Sequence, residues 1–175
     1  MCYYNTKKEE MPMQVSHPLN PIYDSNSKVL ILGTMPSIKS REVGFYYGHP
    51  KNRFWSTLSK VFNEEIGESK EERTNFLLKQ NIALFDVLKS CDISSSSDTS
   101  IKNPIPNNLL PIINTSKIEY IFTTGKKAYE LYMKYCYQET GIKAICLPSP
   151  SPANCPKGIE EKLYQEYSQI KKFTN

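Results

Sequence analysis

Apolar positions along the chain fall into two alternating kinds: short runs that are apolar throughout, and longer stretches with helical spacing. VLILG (29–33) is a β-branched run closed by glycine, as expected of a strand buried on both faces of a parallel sheet. IALFDVL (82–88), EYIFTTG (119–125) and IKAICLP (142–148) read in the same way. Phe54, Trp55, Leu58, Val61 and Phe62 share one face of a helix that follows Asn52. SKEERTNFLLKQ (69–80) opens on Ser69 with Glu72 three residues later, the pattern of a capping box. LLPIINTS predicts a short helix, KKAYELYMKYC (126–136) a longer one, and GIEEKLYQEYSQIKKF (158–173) a closing amphipathic helix. Residues 34–51 and the Ser/Asn/Pro-rich 91–108 are expected to be long loops, and 1–27 a polar arm laid on the domain. Strands alternating with helices predict one α/β domain spanning 1–175, its mostly parallel sheet covered by helices.

Composition narrows the class. With 175 residues, 39% hydrophobic and 23% charged, the chain can bury one core of ordinary size. No apolar stretch approaches the roughly 20 residues of a membrane span, and MCYYNTKKEE lacks the apolar centre of a secretory signal. The five cysteines form no CxxC pair, and only His17 and His49 could join them, so neither a disulfide framework nor a metal site is expected. A reduced, cytoplasmic, cofactor-free monomer is the expectation. A net charge of +4 permits a polyanionic partner without demanding one. Placement is more telling: Gly33, Gly44 and Gly48 cluster after one strand, and Pro148, Pro150, Pro152 and Pro156 after another. Parallel strands put both loops on the same edge of the sheet, where ligands bind in such folds.

The glycine loop, GTMPSIKSREVGFYYGHPKNRFW (33–55), carries the first candidate chemistry. Gly33 and Pro36 allow a tight turn whose N–H groups can point at a ligand. Between Gly44 and Gly48, Phe45, Tyr46 and Tyr47 can present a stacking surface for a nucleobase or simply pack the loop on the core. His49 is a neutral-pH acid or base, or a satisfied loop histidine. The Asn52 amide can orient water or bind a base edge, or cap the helix beginning at Arg53. In LPSPSPANCP (147–156), Ser149 and Ser151 can meet phosphate, and stiff prolines suit either a wedge for a duplex groove or a surface turn. TTGKKAY does not complete a phosphate-loop pattern, yet Lys126 and Lys127 at a helix start can hold a nucleic-acid phosphate.

These residues carry a resemblance. VLILGTMPSIKSREVGFYYGHPKNRFW resembles the first motif region of the uracil-DNA glycosylase superfamily, and LPSPSPAN stands where that superfamily keeps its second motif. The GFYYGHPKNRFW block is similar to the mismatch-specific uracil glycosylases. Together with LGTMPS and SREVGFYYGHP, it looks most like the hypoxanthine (deoxyinosine) DNA glycosylases, family 6. IALFDVLKSC and IFTTGKKAYELY resemble that family too, and the likeness runs from about residue 17 to 172.

The resemblance implies a three-layer α/β/α sandwich around a four-stranded, mostly parallel sheet, and excision of a deaminated base from DNA without metal or cofactor. It departs from the mismatch-specific branch at Met35, which replaces the catalytic Asn found there before the proline. In the hypoxanthine branch the important amide comes from the later NRFW block, here Asn52. The implied catalytic pair is Asn52 with His49 second. The implied base pocket is Gly33, Thr34, Met35, Pro36, Phe45, Tyr47 and Gly48. The implied DNA contacts are Ser37, Lys126, Ser149, Ser151, Pro152, Ala153 and Asn154. Uracil or thymine excision and an inactive nucleic-acid-binding module are the rival expectations.

Overall fold

The computed structural model describes residues 13–93 and 100–175. Its four apolar runs become β2 (Val29–Gly33), β3 (Ile82–Asp86), β6 (Tyr120–Thr124) and β7 (Ala144–Leu147), all parallel and ordered β3-β2-β6-β7. Every residue of β2 and β3 is buried, because helices cover both faces. Gly33 pairs with Asp86, and Thr124 with Leu147, so the strands end together at one edge.

Right-handed crossovers then set the layers. The connection from β2 to β3 carries α1 (Ile38–Val43), α2 (Phe54–Phe62) and α3 (Lys70–Lys79), and the short α4 (Leu110–Asn114) leads into β6. From β6 to β7 the chain runs the opposite way through α5 (Lys126–Tyr135) and the short α6 (Tyr137–Thr140), which the same rule puts on the other face. After β7, α7 (Ile159–Tyr167) returns to α2, where Phe54 and Tyr167 meet edge to face at 6.4 Å. The result is a helix–sheet–helix sandwich. Its core includes Leu30, Ile31, Phe54, Leu58, Phe122 and Tyr167, each with 0% exposure. Burial of that kind contributes about 1.5–3 kcal/mol for each large aliphatic side chain. No helix among the described residues is long and apolar enough to cross a membrane.

Three segments depart from the sequence expectation. Residues 91–108 are not all loop. β4 (Leu88–Ile93) pairs antiparallel with β1 (Met13–Ser16) and with β5 (Lys102–Pro106), forming a second, three-stranded sheet. Its strands mix polar with apolar residues, are partly exposed, and in β5 contain two prolines, so they lack the apolar signal of the main sheet. The glycine loop contains α1, too short to show a period, which Ser37 caps by accepting the Ser40 N–H. The closing helix changes to a tighter turn at Ser168–Ile170, where the Ser168 hydroxyl donates to the Tyr164 carbonyl. In the arm, Ile22 bridges antiparallel to Leu84 of β3, while residues 1–12 lie outside the described residues.

Candidate active site

Connections leaving β2 and β6 run in opposite directions, so a crevice opens between the ends of these neighbouring strands. It widens into a cleft of about 1340 Å³. Gly33–Ser37, Asp86, Thr124–Lys126 and the proline loop wall it, with Tyr47 and Asn52 from the glycine loop. A Cβ at Gly33 would collide with Asp86 Oδ1, so the approach of strand end and carboxylate requires glycine there.

The aromatic triplet divides its labour. Phe45 is 8% exposed and stacks on Trp55 at 5.9 Å, so it belongs to the core and not to the cleft wall. Tyr46 is buried, donates its hydroxyl to Asn20 O at 2.8 Å and accepts the Trp55 Nε1–H at 3.1 Å. Tyr47 alone of the three reaches both the cleft and strained backbone. Its φ of 51° is left-handed, which costs a non-glycine residue about 1–2 kcal/mol. Two contacts hold it: the ring stacks on Phe54 at 3.8 Å and 12°, and the hydroxyl is 2.9 Å from Thr124 Oγ1. Burial, then the Asp86 carboxylate, pushes the Tyr47 phenol well above its ordinary value, so it stays neutral.

Asn52 combines two roles that the residues alone left open. Its Oδ1 accepts the Phe54 N–H at 3.0 Å and so helps to start α2 at Phe54. The same side chain lines the cleft, and Nδ2 has no hydrogen-bond partner among the described residues. The free face of this amide is therefore a donor. His49 accepts the Lys51 N–H on Nδ1 at 3.0 Å and does not reach the cleft wall, nor does Gly48, whose N–H donates to Ser40 Oγ.

The proline loop is a hydrogen-bonded turn. Asn154 Nδ2 donates to Ser149 O at 2.7 Å, and the Ser151 and Ala153 amides donate to Ser149 Oγ and Ser151 Oγ. Arg53, next to Asn52, ties it to the glycine loop: Nη1 donates to Ser151 O at 3.0 Å and Asn154 O at 3.1 Å, and the backbone N–H to Pro150 O. Ser149, Ser151, Ala153 and Asn154 line the cleft; Pro152 sits beside them, half-buried, off the wall. Lys126 begins α5 at the cleft edge behind Gly125, whose φ is 101°.

Sequence reasoning passed over one pair. Asp86 Oδ2 accepts from His17 Nε2 at 2.8 Å, and the two side chains are 5% and 2% exposed. His17 Nδ1 accepts the Leu19 N–H, so these partners assign the neutral Nε2–H tautomer. β1 delivers His17 here, since the His17 amide donates to Lys89 O just beyond the β1–β4 ladder. A carboxylate inside the apolar run IALFDVL was the available signal, because such a group must find a partner or a use.

Comparisons with known proteins agree with this geometry. A family description, the uracil DNA glycosylase superfamily, matches residues 21–170. A protein of Methanosarcina barkeri named hypoxanthine DNA glycosylase is 32% identical over 138 residues, 77% of this chain and 85% of that one. One of the same name from Methanosarcina acetivorans is 33% identical over 137 residues, 76% and 84% of the two chains. The solution NMR structure of a protein from Methanosarcina acetivorans, provisionally a uracil DNA glycosylase, superposes with a TM-score of 0.75. It is 28% identical and covers 90% of this chain and 99% of its own. The chain thus belongs to the uracil DNA glycosylase superfamily and, within it, to the family of the hypoxanthine DNA glycosylases. It is a DNA glycosylase, a hydrolase of N-glycosyl bonds.

Proposed function

We propose that this glycosylase excises hypoxanthine from deoxyinosine in DNA and leaves an abasic site, working as a cytoplasmic monomer without metal or cofactor. One observation carries the reading: a cleft amide with a free donor, Asn52 Nδ2, in a site whose turn after β2 offers Met35 and no catalytic amide. The two relatives' shared name supports the same substrate.

The base leaves the stack first, at lower cost for a weakly paired lesion. Phe54 backs one face of Tyr47, and the flipped purine stacks on what Tyr47 presents to the cleft. Backbone N–H groups around Thr34 and Met35 meet O6 or N7. As the glycosidic bond breaks, the sugar gains oxocarbenium character and the base gains negative charge. Asn52 Nδ2 donates to the departing base and stabilises that charge. Its Oδ1 is already engaged by the Phe54 N–H, which favours this role over positioning water. Outside the pocket, Ser149, Ser151, Asn154 and Lys126 meet the DNA backbone, and Pro152 and Ala153 form the edge that enters the duplex.

The test uses duplex oligonucleotides with one deoxyinosine, deoxyuridine or deoxyxanthosine, followed by alkaline cleavage of abasic sites. Deoxyinosine should give the strongest cleavage. Asn52→Ala should lower the excision rate about 100- to 1000-fold while DNA binding persists. Cleavage confined to deoxyuridine, or an Asn52→Ala rate near that of the parent, refutes the respective assignment.

A further inference from the structure

Beside the cleft, α5 and β5 face each other across a groove of about 560 Å³ that the excision chemistry above does not use. Lys127, Leu131 and Lys134 stand on one face of α5, at positions i, i+4 and i+7. Lys102 and Pro104 of β5 form the opposite wall. That wall is braced by Asn103, which donates Nδ2 to Asp92 Oδ2 at 2.7 Å and so ties β5 to β4. None of the three lysines has a carboxylate partner among the described residues. Glu130, the one acid lining the groove among the described residues, approaches Lys126 at 3.9 Å. Three cations against one anion leave the groove at +2, half of the chain's net +4. Such a concentration of unpaired cations favours an anionic partner. Lysine and proline on the free edge of β5 also keep other strands from pairing there, but that explains neither Lys127 nor Lys134 across the groove.

The groove is continuous with the cleft. Ile101 lines both, and Lys126 on the cleft wall is the chain neighbour of Lys127. α5 starts at the carboxyl edge of the sheet and, as the crossover between the parallel strands β6 and β7, runs back toward the opposite edge. The groove therefore leads away from the edge that carries both loops, where a duplex lies. A duplex holds its phosphates on a convex outer surface and does not enter between two walls, whereas a single sugar–phosphate backbone does. Lys127 and Lys134 are about 10 Å apart along the helix axis, the rise of about three stacked nucleotides. Tyr135, half-buried on the groove with Lys134 Nζ 5.0 Å from its ring centre, offers an aromatic surface to a base. We propose that this groove holds a single-stranded flank of the damaged strand, its phosphates between Lys102 on one wall and Lys127 and Lys134 on the other. The assignment goes beyond the excision reading and rests on it only in placing DNA in the cleft. A lesion beside a gap or a frayed end is thereby held more firmly than the same lesion in continuous duplex.

The test is binding, by fluorescence anisotropy, to strands bearing one tetrahydrofuran residue, an abasic analogue that needs no excision. A strand with about three nucleotides on each side of the analogue is compared with strands extended by about six on the 5′ or the 3′ side. Extension on one side should strengthen binding by the parent at least about fivefold at low salt, and extension on the other side much less. Pairing the extension with a complement should abolish the gain. The triple variant Lys102→Gln, Lys127→Gln, Lys134→Gln keeps the side-chain stems and removes their charge, so its melting temperature and its affinity for the short strand should match the parent's. It should lose the gain from extension, and its salt slope on the extended strand should decrease by about 2, at roughly 0.7 for each phosphate no longer neutralised. Glu130→Gln should act in the opposite sense and enlarge the gain. An equal gain in the triple variant and the parent, or no gain from either extension in the parent, overturns the proposal. So does a gain that survives pairing, which makes the lysines a contact for duplex backbone. Preference of the groove for a glutamate-rich peptide over the extended strand overturns it too, and makes the groove a docking site for an acidic protein. Deoxyinosine excision enters none of these measurements, so failure of the hypoxanthine reading leaves their outcome intact.

Discussion

On the glycine-loop side of the cleft, Phe45 behind the wall and Tyr46 on it are 8% and 3% exposed, and Tyr47 lies flat on a fully buried Phe54. In the proline-loop wall, Pro150 is the buried residue, and Ala153, Cys155 and Pro156 are exposed. The first wall is a piece of the core turned outward. The second keeps its shape through side-chain hydrogen bonds within the turn and through Arg53. Their tasks explain the difference. A pocket that grips a flipped base needs a dry, immobile surface. An edge that meets a duplex must stay exposed and still hold one shape, which proline rings and short hydroxyl bonds supply without a core. Asn52 and Arg53 are consecutive, so the donor of the first wall and the tie to the second share one backbone segment.

If the glycine wall is core, its support should fail as core fails. Phe54→Ala should cost about 3–5 kcal/mol of stability, which for a chain of this size lowers the melting temperature by roughly 10 °C. Excision should drop further than folding explains, since Tyr47 would lose the ring behind it in a backbone conformation that is already strained. Calorimetry and single-turnover excision measured at a temperature where the variant is folded separate the two effects. A melting temperature within about 3 °C of the parent would show that the wall does not depend on Phe54.

The tie between the walls should behave differently. Arg53→Ala removes two donors to loop carbonyls and little apolar packing, so stability should change by about 1–2 kcal/mol. The larger effect should be on DNA: KM rising about tenfold with kcat less affected, because the duplex-facing edge loosens while the pocket stands. Arg53→Lys should rescue only in part, since an ammonium on a flexible four-carbon stem does not hold its donors in the fixed plane from which Nη1 serves both Ser151 O and Asn154 O. A loss confined to kcat would mean that Arg53 serves Asn52 and not the proline loop.

The same contrast decides what was legible in the chain. VLILG and its counterparts were readable as buried strands because parallel strands covered on both faces must be apolar throughout. That pattern also put both loops on one edge, which their geometry around the cleft matches. Local residue types alone left Tyr47 and Phe45 equivalent; a 3.8 Å stack on Phe54 and an 8% exposure beside Trp55 separate them. His17 and Asp86 are 69 residues apart, joined only because β1 adds to β4, a pairing of strands that mix polar with apolar residues and carry no periodic signal. Asn52 was ambiguous between cap and site because its amide has two ends, and each is placed for one of those tasks.

The smallest effect belongs to Lys126. Its side chain is exposed at the cleft edge, and its 3.9 Å approach to Glu130 is a solvated pair of little energetic weight. Melting temperature should therefore be unchanged in Lys126→Ala. Affinity for undamaged DNA should weaken only a few-fold at low salt, and the slope of log affinity against log salt should decrease by about one, the mark of a single lost phosphate contact. Excision from a short single strand that ends before α5 should be unaltered. Such a result would sharpen the division between walls, because a backbone contact beside the proline loop would then move the salt dependence without touching the pocket. An unchanged salt slope would instead place the DNA backbone away from the start of α5 and restrict the exposed wall to its serines and Asn154.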